Sequence, residues 1–111
     1  SSFPKEIAEL KALKKLNLRC VPATPPNLTH LKALENLVLS HMKLATVPLE
    51  VFQLKGLTYL DLADNKLNKI PPDIANLKAL KSFFLDGNPL QSIPQVILDL
   101  KEKPGINVRL P

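Results

Sequence analysis

One pattern of leucines recurs along the chain at a nearly constant interval, and it constrains the fold more than any other feature. The segment 57–71 (LTYLDLADNKLNKIP) is matched by 80–94, and a shorter match covers 34–48. A fixed period of this length indicates stacked units, because each unit then buries its apolar side against its neighbours. The copies, 21, 23 and 23 residues apart, begin near Leu13, Leu34, Leu57 and Leu80.

A second shared segment lies between these copies. Residues 4–13 (PKEIAELKAL) read like 71–80 (PPDIANLKAL), and 25–34, 48–57 and 94–103 fit the same frame. Each contains two apolar residues three positions apart, which places both on one side of a helical turn. The pairs are Ile7/Leu10, Leu28/Leu31, Val51/Leu54, Ile74/Leu77 and Ile97/Leu100. Each copy therefore combines a strand-like half with a short helical or irregular return.

Alternating residues in the first half of each copy predict a short strand. In Leu60-Asp61-Leu62 the two leucines fall on one face, since successive strand side chains point to opposite sides. A strand this short is stable only when other strands lie beside it. We therefore expect stacked copies to form a parallel sheet with about 4.8 Å between strands.

Asparagine follows the strand in two copies, as Asn65 and Asn88. An amide side chain both donates and accepts hydrogen bonds, so it can satisfy the backbone groups of a buried turn. Met42 takes this position in the preceding copy and cannot replace the amide, and Cys20 stands near it in the first copy. We expect Asn65 and Asn88 to lie at the turns that leave the sheet.

The pattern Leu-x-x-Leu-x-Leu-x-x-Asn-x-Leu resembles the leucine-rich repeat over nearly the whole chain. Its 23-residue period, with apolar–proline pairs at 47–48, 70–71 and 93–94, is similar to the Ras-suppressor class of signalling scaffolds and some bacterial repeat proteins. The sequence departs from the family pattern at Cys20 and Met42, and at Phe83, which replaces a leucine.

The periodicity and the resemblance predict an α/β fold. We expect a right-handed leucine-rich-repeat solenoid, a short horseshoe of about four and a half coils. Its concave side would be a parallel sheet, and its convex side would carry short helical or irregular turns.

The 111 residues are expected to form a single leucine-rich-repeat domain, with partial coils at 1–12 and 103–111. The repeat frame places Ile106 and Val108 at apolar positions of the last coil, although Pro104-Gly105 interrupts it. Because the outermost coils of an array need polar caps, two interpretations stay open. The chain is a piece of a longer array, able to self-associate through uncapped ends, or a small protein with modest caps.

Composition excludes several classes of protein. The chain is 45% apolar and 23% charged, and its apolar runs are far shorter than the ~18 residues of a membrane-spanning helix. We therefore expect no membrane span, and no basic stretch followed by an apolar run suggests a signal peptide. The single cysteine, Cys20, permits no internal disulfide and favours a cytoplasmic location, although a secreted microbial protein also fits.

The residues that an enzyme would need do not come together in the sequence. It contains no glycine-rich phosphate loop, no paired His/Cys metal spacing and no Gly-x-Ser-x-Gly elbow. We therefore predict no catalytic residues, no metal and no cofactor. The two histidines, His30 and His41, fall in different parts of the coil, and Cys20 is interpreted as a turn residue.

Solvent-facing strand positions can be sorted into three columns across the concave sheet. The central column is Asn17, Val38, Asp61, Phe84 and Asn107. The column before it is Lys15, Asn36, Tyr59, Ser82 and Gly105, and the column after it is Arg19, Ser40, Ala63, Asp86 and Arg109. Such positions have no structural need for large aromatic side chains, so Tyr59 and Phe84 require an explanation.

Tyr59 and Phe84 are expected to be diagonal neighbours roughly 8 Å apart, and with Val38 they form an apolar island among charged residues. The basic residues Lys14, Lys15 and Arg19 are expected to border this island towards the N-terminal end of the array. An aromatic centre with a charged rim is typical of a protein-binding hot spot. The candidate partner-binding residues are Tyr59, Phe84, Val38, Asp61, Asp64, Asp86, Lys15, Arg19 and His41.

Two simpler interpretations of these residues stay open. The apolar island can be a set of scattered residues that raise strand propensity. The aspartates Asp61, Asp64 and Asp86 are interpreted as a solvated acidic patch and not as a cation site, because no liganding loop frames them.

Lysine recurs once per coil on the convex side, at Lys11, Lys32, Lys55, Lys78 and Lys101. With the net charge of +5, this ladder could attract nucleic acid or an anionic membrane. Arginine pairs and interleaved aromatic residues are absent from that side, so the pattern does not favour nucleic acid. We interpret the lysines as complements to helix dipoles and as a source of solubility.

Together these features predict a non-enzymatic module that binds a partner protein or peptide on its concave sheet. The resemblance to the Ras-suppressor class implies a signalling scaffold. Two alternatives stay open: a structural segment of a longer array, and a microbial surface or effector repeat protein. Fold similarity does not choose among them, because one repeat architecture serves unrelated partners.

Overall fold

The computed structural model describes residues 13–17, 31–47 and 49–111. Within these ranges the chain forms five strands, two 3-10 helices and one α-helix. The strands are β1 (Lys15–Asn17), β2 (Asn36–Val38), β3 (Tyr59–Asp61), β4 (Ser82–Phe84) and β5 (Asn107–Arg109). The 3-10 helices are Leu49–Gln53 and Pro72–Asn76, and α1 is Gln95–Glu102.

All five strands lie in one parallel sheet, in sequence order from β1 to β5. The middle residues of the strands are Leu16, Leu37, Leu60, Phe83 and Val108. Leu37, Leu60 and Phe83 are completely buried, whereas the residues on either side of them are half-buried. Side chains thus alternate between the core and the solvent, which confirms the predicted α/β solenoid.

The return after β3 shows how the sequence builds the other side of the coil. Pro72 stands at the start of its 3-10 helix, where a fixed φ suits a helix start, and Asp73 lies in the first turn. Ile74 and Leu77 are almost completely buried. This helix contacts both the preceding 3-10 helix and α1, so the returns stack in the same order as the strands.

One continuous core fills the space between the sheet and the returns. The predicted inward residues of the described returns pack there: Leu31, Val51, Leu54, Ile74, Leu77, Ile97 and Leu100. Those predicted at Ile7, Leu10 and Leu28 lie outside the described residues. Because the core is shared between coils, strands of only three residues are stable.

Asn65 holds the turn that follows β3, as its position in the repeat predicts. Its Oδ1 accepts hydrogen bonds from the backbone N–H groups of Met42 (2.9 Å) and Leu44 (3.1 Å) in the coil before. Its Nδ2 donates to the carbonyls of Leu39 (3.0 Å) and Leu62 (2.9 Å). The amide therefore ties its own turn to the preceding one.

Asn88 makes the equivalent contacts one coil later. Its Oδ1 accepts from the N–H groups of Asn65 and Leu67, both at 3.1 Å. Its Nδ2 donates to the carbonyls of Leu62 and Leu85, both at 2.9 Å. Among the described residues, no buried side-chain polar atom lacks a hydrogen bond. The asparagine side chains are therefore fully used in bonding the two turns.

The two departures from the asparagine pattern fall on different parts of the chain. Met42 is buried in the apolar core, and its backbone N–H is one of the two that donate to Asn65 Oδ1. Cys20, interpreted as a turn residue, lies outside the described residues.

The last strand is shifted by two residues from the position that the repeat frame predicts. The frame aligns Ile106 with Phe83, but in the sheet Phe83 pairs with Val108. Leu60 and Phe83 are 23 residues apart, whereas Phe83 and Val108 are 25 apart. The extra length precedes β5, in the turn where Gly105 has a φ of 80°. The predicted register of the fifth strand is therefore wrong, because this turn is longer.

Candidate functional site

The solvent-facing side of the sheet, which we call the concave face, is built from the outer residues of each strand. One column is Lys15, Asn36, Tyr59, Ser82 and Asn107, and the next is Asn17, Val38, Asp61, Phe84 and Arg109. An open depression of about 400 Å³ lies on this face. Its lining comprises Asn17, Val38, Ser40, His41, Tyr59, Asp61, Ala63, Asp64, Phe84, Asp86 and Arg109.

The structure brings seven of the nine predicted partner-binding residues to this depression: Tyr59, Phe84, Val38, Asp61, Asp64, Asp86 and His41. Lys15 lies at the end of the first column and lines a neighbouring depression of about 470 Å³, together with Val38 and Tyr59. Arg19 lies outside the described residues. The predicted set is thus mainly a single surface, with Lys15 at its N-terminal margin.

Two aromatic side chains meet at the centre of the depression. Asp61 pairs with Phe84 across β3 and β4, so Tyr59 and Phe84 are diagonal neighbours, as expected. Their ring centroids lie 5.3 Å apart with the planes at 79°, an edge-to-face contact closer than the roughly 8 Å expected from the diagonal positions of the two residues. Both side chains are half-buried. They therefore present apolar surface to solvent while their positions are fixed by each other.

Arg109 contacts Phe84 from the neighbouring strand β5. Its guanidinium carbon lies 5.3 Å from the Phe84 ring centroid, within the range of a cation–π contact. The repeat frame predicts Asn107 in the central column and Arg109 in the column after it, and both placements are wrong. The longer turn before β5 shifts the register, so Arg109 and not Asn107 pairs with Phe84.

Three aspartates flank the aromatic pair on the side where the strands end. Asp61 Oδ1 accepts a hydrogen bond from the backbone N–H of Ala63 at 2.9 Å. Asp86 is half-buried, and within the described residues its carboxylate has no hydrogen bond or ion pair. Asp64 Oδ2 lies 3.0 Å from His41 Nε2. The carboxylates therefore differ in how much of their hydrogen-bonding capacity is already used.

A row of left-handed residues borders the aspartates. His41, Asp64 and Gly87 occupy the same position in successive coils, with φ values of 56°, 57° and 78°. The backbone N–H of Asp64 donates to the carbonyl of Asp86 at 2.8 Å, and that of His41 to the carbonyl of Ala63 at 3.2 Å. These bonds continue the strand pairing into the turns and fix the rim of the depression.

Sequence reasoning missed two features of this surface. It missed the contact of Arg109 with Phe84, although Pro104-Gly105 is a strong turn signal that indicates an insertion before β5. It also missed that position 87 is left-handed, although glycine, aspartate and histidine are the residues that tolerate positive φ. Both signals depend on aligning the turns as well as the leucines.

Other predicted surface features lie away from the concave face. Four members of the lysine ladder are described, and all are exposed: Lys32, Lys55, Lys78 and Lys101. Lys11 and His30 lie outside the described residues. In the described part of the chain, no three metal-binding side chains come together. No helix there has the length and apolar character needed to cross a membrane.

Comparison with known proteins agrees with this architecture. A solved structure of a leucine-rich-repeat protein from Leptospira interrogans is similar to the chain, with a TM-score of 0.66 and 30% sequence identity. The match covers 97% of this chain but 34% of that protein, so the chain spans about a third of its length. No curated protein sequence matches the chain significantly. The profile of the family described as leucine rich repeat matches residues 32–90, more than half of the chain, and the protein therefore belongs to the leucine-rich-repeat family.

Proposed function

We propose that this protein binds a partner protein or peptide on its concave face and does not catalyse a reaction. The observation that carries the proposal is the contact between Tyr59 and Phe84. Their ring centroids lie 5.3 Å apart on a surface that faces solvent. Leucine-rich repeats are in general protein-interaction folds, and the family membership supports this use of the exposed sheet.

The aromatic pair has the properties of an interface anchor. Tyr59 and Phe84 lie on adjacent strands of a rigid sheet, so little side-chain freedom remains to be lost when a partner binds. Large aromatic side chains dominate the energy of protein interfaces when they lie at the centre of a contact. A ring of charged residues around them is the usual rim of such a contact and supports orientation of the partner.

Affinity enrichment from cell lysate tests the proposal when it includes matched variants. The baits would be the unmodified protein, a Tyr59→Ser/Phe84→Ser variant of the concave face and a Lys55→Ser/Lys78→Ser variant of the opposite side. Quantitative mass spectrometry then identifies proteins retained by the first and third baits and lost from the second. The retained protein would be purified and its binding to each bait measured by calorimetry.

Folding of each bait has to be established first, and circular dichroism with a thermal transition does so. Direct binding that disappears only in the Tyr59→Ser/Phe84→Ser variant supports the concave face as the interface. Retention of the same proteins by all three folded baits would contradict the proposal. Where the double variant does not fold, Tyr59→Gln alone is the substitute, since Tyr59 is half-buried.

A second candidate function, a structural segment within a longer array, is favoured by one comparison. The chain spans about a third of the Leptospira protein that it resembles, so a protein with this fold can be much longer than this chain. In that role the concave face would be idle and the terminal coils would associate with neighbours. Analytical ultracentrifugation between micromolar and millimolar concentration distinguishes the two, because only the segment is expected to self-associate through its ends.

The cellular context is part of the same proposal. The 23-residue period resembles that of cytoplasmic signalling scaffolds, whereas the match to a Leptospira protein favours the alternative of a microbial repeat protein. We favour the scaffold on the basis of the repeat class. A partner recovered by the enrichment experiment decides between them, since a cytoplasmic signalling protein supports the scaffold and a host or envelope protein contradicts it.

A further inference from the structure

The depression on the concave face carries a charge opposite to that of the chain as a whole. The sequence has a net charge of +5. The lining of the depression nevertheless includes Asp61, Asp64 and Asp86 against a single arginine, Arg109. A negative surface on a positively charged protein directs cationic partners to one place. The charge of this depression therefore indicates the chemistry of the partner.

The carboxylates retain capacity for an external cation. Asp86 makes no side-chain hydrogen bond or ion pair with any described residue, and Asp61 uses only Oδ1, for a backbone N–H. Arg109 does not neutralise them, because its guanidinium lies against Phe84 and forms no ion pair within the described residues. Two half-buried carboxylates are thus left to be matched by a bound positive charge.

The aromatic pair lies directly beside these carboxylates. Asp61 pairs with Phe84 across β3 and β4, and Tyr59 contacts the Phe84 ring. Arginine and lysine have an apolar stem that packs on aromatic surface and a charged head that reaches a carboxylate. Such heads form short, charge-assisted hydrogen bonds that are stronger than neutral ones. This combination of surfaces suits a basic side chain better than an acidic or a purely apolar one.

We propose that the partner presents an arginine or lysine side chain to this depression, with its stem against Tyr59 and Phe84 and its charged head between Asp61 and Asp86. This inference rests on the proposed function, because it specifies the chemistry of the partner at the same face. Nucleic acid is disfavoured as the occupant, since its phosphates would meet the three aspartates of the lining.

Selection from a random linear-peptide library displayed on phage tests this inference while the natural partner is unidentified. The library is first depleted on the folded Tyr59→Ser/Phe84→Ser variant and then selected on the unmodified protein. We expect the recovered peptides to share an arginine or lysine at one position. A selected peptide is then synthesised, and its affinity for the protein and for charge variants is measured by calorimetry.

Two matched substitutions separate a specific contact from a general charge effect. Asp86→Asn is expected to weaken binding of the selected peptide about fivefold or more, whereas Asp73→Asn, on the opposite side, changes it less than about twofold. Both positions are solvent-accessible in the structure, and thermal unfolding confirms that the variants fold.

The outcomes distinguish the inference from the proposed function. Peptides that depend on Tyr59 and Phe84 but share an acidic or apolar residue would overturn the basic-partner inference and leave the concave interface intact. Equal effects of Asp86→Asn and Asp73→Asn would also overturn it. Failure to recover any peptide that distinguishes the unmodified protein from the double variant would count against both. Tight binding of a single-stranded DNA 20-mer at this face would overturn both as well.

Discussion

The carboxylate of Asp64 occupies the space above Gly87, where the Cβ atom of any other residue would collide with Asp64 Oδ1. The two residues are equivalent positions of neighbouring coils, and both have a positive φ. From this place Asp64 also reaches back to His41, with Oδ2 and Nε2 3.0 Å apart. The absence of a side chain at position 87 therefore allows the contacting side chains of His41 and Asp64 to lie along the rim of the concave face.

We expect Gly87→Ala to destabilise the protein by about 1–3 kcal/mol. A left-handed backbone disfavours alanine by roughly 1–2 kcal/mol. The new Cβ would in addition collide with Oδ1 of Asp64 and lie 3.0 Å from its Cγ, so the Asp64 side chain has to move. Chemical denaturation measures the loss of stability, and the NMR shifts of the His41 ring protons report the displacement of Asp64.

An Asp64→Gly background separates the two contributions to this loss. Without the carboxylate, Gly87→Ala should cost mainly the backbone strain, roughly 1–2 kcal/mol. The difference between the two backgrounds is the collision energy with Asp64. Equal losses in both backgrounds, or unchanged His41 shifts, would show that Asp64 does not restrict position 87.

Asn65→Ala should destabilise the protein by about 2–5 kcal/mol, because it leaves several buried backbone groups without a partner. The N–H groups of Met42 and Leu44 and the carbonyl of Leu39 all bond to this amide across the coil boundary. Urea denaturation followed by circular dichroism measures the change in the free energy of unfolding.

Asn68→Ala is the matched control, since Asn68 lies three residues away with an exposed side chain. Its effect should stay within about 0.5 kcal/mol. If Asn65→Ala were equally mild, water would be satisfying the turn and the amide contacts would not be needed for stability.

The inward-facing residues could be predicted because burial follows the period of the repeat. Leu37, Leu60 and Phe83 stand at one frame position and are all completely buried. Packing depends on which side of the strand a residue occupies, and alternation in the sequence specifies that directly. The role of Asn65 was predictable for a similar reason, since few side chains can both donate and accept in a buried turn.

The surface was only partly predictable, because it depends on register between strands. Tyr59 and Phe84 were assigned correctly as neighbours, since β3 and β4 are separated by the regular period. Arg109 was misplaced because the turn before β5 is longer than in the other coils. A shift of two residues keeps the same residues facing solvent, so the alternation of apolar residues cannot reveal it.

Leu60→Ala and Tyr59→Ser are adjacent substitutions that distinguish the two sides of β3. Leu60 is completely buried, and its truncation should cost about 2–5 kcal/mol through loss of packing and formation of a cavity. Tyr59 is half-buried and contacts one ring, so its removal should cost about 1–2 kcal/mol. Chemical denaturation measures the loss of stability in each variant. Equal losses would contradict the assignment of Leu60 to the core side and Tyr59 to the solvent side of β3.

The contact between Arg109 and Phe84 should appear as a coupling energy of about 0.5–1 kcal/mol in a double-mutant cycle of Arg109→Gln and Phe84→Leu. The guanidinium lies over the ring at 5.3 Å on a solvent-facing surface, where cation–π contacts are modest. Val38→Ala, combined with Arg109→Gln, is the control pair, because β2 and β5 are separated by two strands. That pair should be additive within the error of urea denaturation. Additivity of Arg109→Gln with Phe84→Leu as well would mean that Arg109 does not stabilise the ring. The aromatic pair would then be fixed by Tyr59 and the sheet alone, and the extra length before β5 would have no effect on the binding face.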